Sequence, residues 1–330
     1  YTRNMVTAAS SADAAVVLVD ATKVDWQSAD LTLLPQTRRH SLLLKLLRVP
    51  TIIFAINKLD AVDKPEIAFM HIAQALQRFA DEAAIDIHAM VPMSALKGWN
   101  VVTTLSEWCG YSGPSLLSLL ENVPVSPSDE EAELTFAVQW VEKFHDSATT
   151  SQGRRVYWGR VATGMAQVGD KVRVFPSGQQ AIVKEVLTAV RLPTSVAAGH
   201  SAGIVLDREV DLSRGDWLLA GQSSLQPSKQ LDVTVAWLDD EPLVAGRVYW
   251  ALHGHQWVKA KVASITDRLD IHSLESLPAS ELPANAIGRV QLSFQQPLLT
   301  LPYGRSRTLG SMVLVDTASH KTSAAVMVQG

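Results

Sequence analysis

The 330-residue chain contains one cysteine, Cys109, so no intramolecular disulfide can form and nothing in its thiol content asks for an oxidising compartment. It has no long hydrophobic run: the stretch from Ala14 to Val19 falls well short of the about 20 residues a membrane helix needs. Lys45 and Arg48 interrupt the leucine-rich segment around Leu42. It also lacks an excess of positive charge. Lys and Arg number 29 against 33 Asp and Glu, a net −4, and residues 1–125 and the remainder each carry −2. The basic surface that dominates nucleic-acid affinity is therefore missing. These absences point to a cytoplasmic protein with no nucleic-acid and no membrane partner. The chain opens on Tyr1 rather than Met, without a charged leader, which reads as a piece of something longer.

What is present is ordinary globular composition, 47% hydrophobic and 19% charged, enough for two or three domains with their own cores. Over residues 1–125, short apolar runs alternate with helical periodicity, the pattern of a parallel sheet covered by helices. Ala14–Asp20, Thr51–Asn57 and His88–Ser94 are the expected strands. Phe69, Ile72, Leu76, Phe79 and Ala83 recur at helical spacing, Gln36–Leu47 forms a second helix, and Ser115–Glu121 a short third. The acidic, proline-containing stretch Pro124–Glu133 is a linker, after which helix periodicity nearly vanishes. Short β-branched and aromatic runs with regular turn signals follow, favouring two small antiparallel β-barrels over residues 134–222 and 228–330.

The sharpest chemical signal is Asn57-Lys58-Leu59-Asp60, directly after the apolar run Thr51–Ile56. Ligands of open α/β sheets bind beyond the carboxyl ends of strands, so the loop is well placed. The chemistry suits guanine. Asp60 can accept from the ring N–H and the exocyclic amine in one planar bidentate contact, which adenine cannot satisfy. Sites built to satisfy a buried polar group discriminate by about 10⁴–10⁵ against the analogue that lacks it. Asn57 can bridge base and neighbouring loops, and the Lys58 stem can cover one ring face. Four residues alone also describe a polar turn. Ser94-Ala95-Leu96, about 35 residues later and after an intervening helix, adds a second loop at the same sheet edge, where the Ala95 N–H can meet guanine O6.

With these two motifs, Tyr1-Thr2-Arg3-Asn4-Met5, Gln36-Thr37-Arg38-Arg39-His40 and Val91-Pro92-Met93-Ser94-Ala95-Leu96-Lys97-Gly98 make the chain resemble the translation-factor class of GTPases. Within that class it is similar to the large GTPase subunit of bacterial ATP sulfurylases (sulfate adenylyltransferases). Tyr111-Ser112-Gly113-Pro114-Ser115-Leu116-Leu117, Val168-Gly169-Asp170-Lys171-Val172 and Arg307-Thr308-Leu309-Gly310-Ser311-Met312 carry the likeness through to the end. The resemblance implies an α/β P-loop-type GTPase domain over residues 1–125 followed by the two barrels. It also implies GTP as ligand and a small adenylyltransferase subunit as partner. GTP hydrolysis would drive the joining of sulfate to the AMP moiety of ATP, with release of pyrophosphate. The alternatives are an elongation-factor-like GTPase acting on tRNA or ribosomes, and a nucleotide-free scaffold.

The chain holds no G-x-x-x-x-G-K-[ST] and no D-x-x-G, the motifs that cradle the β- and γ-phosphates and approach Mg²⁺. The GTPase domain is thus expected to be N-terminally incomplete, with Mg²⁺ bound only where those motifs are present, and no metal or catalytic residue is assigned. The connection Ala21–Pro35 is longer than in relatives and apolar enough, through Trp26, Leu31, Leu33 and Leu34, to pack on a partner surface or, the favoured reading, on its own domain. His253 and His255 are ordinary barrel histidines, Asp239-Asp240-Glu241 a solvated turn, Arg38-Arg39-His40 a solvated helix start, and Trp158, Trp237, Trp250 and Trp257 core packing.

Overall fold

The computed structural model describes Met5, Ala8, Ala9 and residues 12–28, 31–124, 132–144, 154–188 and 193–330. Tyr1-Thr2-Arg3-Asn4 and most of the Pro124–Glu133 linker lie outside the described residues. The chain divides into two compact units, one of residues 1–126 with 269–277, the other of residues 127–268 with 278–330.

The first unit is built on three parallel strands, β1 (Ala14–Asp20), β2 (Thr51–Asn57) and β3 (Ile87–Pro92), in that spatial order. Every β2 side chain from Thr51 to Ile56 is buried, as a strand covered on both faces requires. Helix α1 (Pro35–Leu46) and helix α2 (Pro65–Ala83) each start on a proline, whose missing N–H costs nothing in a first turn. Ile72, Leu76, Phe79 and Ala83 bury along one α2 stripe. The Lys45 ammonium reaches the Ala83 carbonyl, a cation at a helix C-terminus. Helix α3 (Leu116–Glu121) is capped by the Ser115 hydroxyl, which accepts from Ser118 N–H at 3.3 Å.

The third strand ends two residues before the expected Ser94. Met93 still donates to Ile56 O (2.8 Å), but Ser94 pairs with Trp99 and turns the chain into a loop. The Ala21–Pro35 connection folds onto its own unit: Val24 and Leu33 are buried, and His71 Nδ1–H of α2 donates to Trp26 O at 2.9 Å. Ala29 and Asp30 within it lie outside the described residues. Arg38 is half-buried and bonded within the fold rather than freely solvated. Its guanidinium sits 4.6 Å over the Phe79 ring and donates to the carbonyls of Ile271 (2.9 Å) and His272 (2.8 Å), which group with this unit.

In the second unit, β4 (Thr135–Phe144), β5 (Arg154–Thr163), β7 (Lys171–Phe175), β8 (Gln180–Leu187), β10 (Ser201–Leu206) and β11 (Trp217–Ala220) close into an antiparallel barrel, while the short β6 (Met165–Gln167) and β9 (Ser195–Ala197) pair with each other. Phe136, Val138, Tyr157, Val161, Ile204 and Leu218 fill it. The short strands β13 (Leu243–Val244), β16 (Ser276–Pro278) and β17 (Glu281–Leu282) aside, a second antiparallel sheet contains β12 (Ser228–Trp237), β14 (Val248–His253), β15 (Gln256–Leu269), β18 (Ile287–Leu298), β19 (Ser311–Asp316) and β20 (Thr322–Val328). It returns on itself through the β14–β15 pairing and encloses a core around Val235, Trp237, Leu292 and Leu314. A shared cluster of Ala137, Ala162, Trp217, Leu219, Leu299 and Leu309 makes the two sheets one unit. The tryptophan expectation holds for Trp237, which is buried, and fails for Trp257, which is 51% exposed because it occupies an outward position of β15.

Candidate functional site

The parallel register sets Asp20 opposite Asn57 and Ile56 opposite Pro92, so the loops after β2 and β3 leave from one sheet edge. In the first loop Lys58 has φ 64° and ψ 26°, a left-handed conformation that precedes a short 3₁₀ turn over Leu59–Ala61. Such a conformation in a long side chain is uncommon and clusters at functional loops. It is held from inside. Asn57 Oδ1 accepts from Lys58 N–H at 2.8 Å, and the fully buried Leu59 anchors the turn.

The same Asn57 Oδ1 accepts from Ala95 N–H at 3.0 Å and so ties the two loops together. Both partners are backbone donors, which fixes the side-chain oxygen on this side and leaves the Asn57 amide N–H₂ without a partner among the described residues. The second loop is braced by buried groups. Ser94 is fully buried and its hydroxyl accepts from Lys97 N–H at 3.1 Å. Asn100, also fully buried, donates to Pro92 O (2.9 Å) and accepts from Leu105 N–H (2.6 Å). Leu96 projects from this frame at 86% exposure. Asp60 is half-buried, and among the described residues no group pairs with its carboxylate. An acceptor pair beside an exposed leucine, on loops fixed by hydrogen bonds, suits a planar ligand with two neighbouring N–H donors.

Asn57, Lys58, Asp60, Ser94, Ala95 and Leu96, singled out from the sequence, thus stand on two adjacent loops. Sequence reasoning missed Asp20. Its Oδ2 accepts from Lys58 Nζ at 2.6 Å, and its Oδ1 from the Thr22 N–H (3.0 Å) and hydroxyl (2.7 Å). Burial pushes the Asp20 carboxyl up, but the Lys58 and Thr22 bonds outweigh it and hold the group below the usual carboxylate range. The available signal was an acidic residue closing an apolar strand at the binding edge. Asn100 was missed as well, because bracing depends on a buried geometry that residue type does not reveal.

A cleft of about 600 Å³ runs along β1, lined by Val16, Leu18, Asp20, Thr37 and His40 among others. Among the described residues no group of three or more His, Cys, Asp or Glu side chains could hold a metal. His253 is instead locked between backbone carbonyls, Nδ1 3.0 Å from Ser311 O and Nε2 2.8 Å from Leu299 O. The acidic turn at Asp239–Glu241 is an ordinary one, with Glu241 on Arg247 (3.1 Å) and Asp239 accepting from the Ser323 hydroxyl (2.8 Å). No helix among the described residues is long and apolar enough to cross a membrane.

Residues 1–124 match the elongation factor Tu GTP binding domain family, and residues 230–329 the GTP-eEF1A C-terminal domain-like family. Over all 330 residues the chain is 36% identical to sulfate adenylyltransferase subunit 1 of Yersinia enterocolitica and 34% identical to that of Salmonella typhi. It spans 66% of the length of each. The solved structure of Sup35 complexed with GDP shares the fold, with a TM-score of 0.54 at 19% identity over 96% of this chain and 78% of the other.

Proposed function

The chain belongs to the sulfate adenylyltransferase subunit 1 family within the translation-factor class of GTPases, and from that premise we propose that it is the guanine-nucleotide-binding part of a sulfate-activating enzyme. In this reading the Asp60 carboxylate accepts from guanine N1–H and the exocyclic amine. Lys58 lays its stem along one ring face and Leu96 borders the other. Asn57 offers its amide N–H₂ to the base while its oxygen keeps the two loops at a fixed separation. Ala95 offers guanine O6 a share of the N–H that Asn57 Oδ1 already accepts, as a three-centre bond, and the buried Ser94 hydroxyl holds the loop that presents it. Guanine is preferred over adenine because adenine would leave Asp60 without a donor.

The domain division that goes with this reading is residues 1–125 for nucleotide binding, with barrels over 134–222 and 228–330. The activity proposed for the protein of which this sequence is characteristic is GTP hydrolysis coupled to formation of adenylyl sulfate and pyrophosphate from ATP and sulfate. The coupling would run through a nucleotide-dependent two-state rearrangement. Adenylyl transfer itself is assigned to a small partner subunit, in the cytoplasm. Mg²⁺ would serve the nucleotide phosphates. The described residues offer no ligand set for it, so no step is derived through the metal.

The observation that carries the reading is the Asn57–Ala95 hydrogen bond, which joins two sequence-distant loops beside an Asp60 carboxylate that has no partner among the described residues. The direct test is a titration of the 330-residue chain, observed through backbone amide resonances, with GDP and with ADP. Shifts confined to the 57–60 and 94–97 loops with GDP, and none with ADP, are expected. Equal responses to both nucleotides would refute guanine selection. Because the sequence lacks a phosphate cradle, calorimetry should give GTP affinity weaker than about 1 μM, the level at which binding is worth about 8 kcal/mol. Sub-micromolar affinity would contradict the assignment of binding to base contacts alone.

A further inference from the structure

Asp20 belongs to none of the motif residues, yet the sheet register places it directly opposite Asn57, the first residue of the base loop. Its carboxylate is divided between two tasks. Oδ1 accepts from the Thr22 N–H and hydroxyl, which aim the group, and Oδ2 accepts from Lys58 Nζ at 2.6 Å. Lys58 is therefore fixed at both ends, its N–H on Asn57 Oδ1 (2.8 Å) and its ammonium on Asp20. With side chains 53% and 25% exposed, the pair gains little from charge attraction alone, because water screens it. What it does control is where the lysine stem lies. A lysine stem is among the most rotamer-rich of side chains, and one ordered only when a ligand arrives subtracts from affinity.

We propose that Asp20 is a positioning residue of the guanine site: by holding the Lys58 ammonium at the carboxyl end of β1, it lays the Lys58 stem beside Asn57 and Asp60 before the ligand arrives. The base then meets a preformed apolar wall. This rests on the guanine reading of the two loops and adds to it the group that organises one wall of the pocket.

The test is a double-mutant cycle read by GDP titration of the full 330-residue chain, following the Ala95 amide resonance. Asp20→Asn should weaken GDP about 3- to 10-fold, the cost expected when one long side chain must be ordered on binding. Lys58→Met removes the group through which Asp20 acts, so adding Asp20→Asn to it should change GDP affinity less than about two-fold. Thr22→Val, at an exposed position, keeps the test available if Asp20→Asn does not fold, and should weaken GDP in the same direction through loss of the aiming hydroxyl. Wild-type affinity in Asp20→Asn, or an equal loss in the Lys58→Met background, would overturn the proposal while leaving the guanine reading intact. Absence of any GDP response in the wild-type chain would remove the guanine reading and this proposal with it.

Discussion

Asn57 Oδ1 accepts the Ala95 N–H at 3.0 Å across 38 residues of sequence, and through this one bond the loop after β2 fixes the loop after β3. Asn57→Ala deletes it together with the Lys58 N–H contact. Leaving two loop amides without their acceptor should cost about 1–3 kcal/mol of local stability. Faster hydrogen exchange at Ala95 and Lys58, with the α2 core amides unchanged, is the expected result. Unchanged exchange at Ala95 would show that the loops hold their positions independently.

The second unit should lose stability in acid through His253. Its fully buried ring faces two carbonyls, Ser311 O and Leu299 O, and stacks on Trp217 with centroids 5.7 Å apart. Burial pushes its pKa down, only partly opposed by the two carbonyls. The unfolded chain therefore takes up a proton at the ordinary value of about 6.5 while the folded chain resists it. Stability is complete above that value and is lost as pH falls below it. Urea midpoints of wild type and His253→Gln between pH 8 and pH 5.5 should converge on acidification. Parallel curves would contradict the assignment.

Cys109 should be chemically silent in the folded chain. It is 7% exposed, and burial, with a smaller contribution from the Glu66 carboxylate, pushes its thiol up to about 12. The reactive thiolate is then a negligible fraction at pH 8. Ellman's reagent should label it only at the rate of unfolding, with full labelling in urea. Rapid labelling of the native chain would show the site to be open.

Gly159 of β5 is required by close approach rather than by backbone conformation. A Cβ there would lie 2.0 Å from Ala137 O and 2.8 Å from the Phe136 ring. Gly159→Ala should destabilise the barrel by about 1–3 kcal/mol or more, the usual cost of overpacking. A lower urea midpoint for the second unit is the readout, and an unchanged midpoint would exclude the clash.

Much of this structure could be read from residue types because local pattern and tertiary need coincide. The apolar run Thr51–Ile56 is buried on both faces, and the α2 stripe from Ile72 to Ala83 keeps helical spacing throughout. The misjudged boundaries have physical causes. Strand β15 runs to Leu269 with register shifts at Val262/Ser264 and Ile265/Asp267, which break the alternation that would otherwise mark its end in the sequence. Strand β18 continues through Pro297, which has no N–H to give a ladder, so the end of this strand is not marked by residue type. In the site, Asn57, Asp60 and Ala95 announce themselves by type and spacing, whereas Asp20 enters only through the β1–β2 register. Arg38 looked like a solvated helix start because its partners, Ile271 and His272, lie more than 230 residues away.

Base selection by Asp60 is the central claim, and exchanging the hydrogen-bond polarity of that one side chain tests it most directly. Titrations of wild type and Asp60→Asn with GDP and with xanthosine diphosphate should cross over. Wild type should favour GDP, and the variant, whose amide can donate to the 2-oxo group, should favour xanthosine diphosphate. The same order of preference in both proteins would contradict the account.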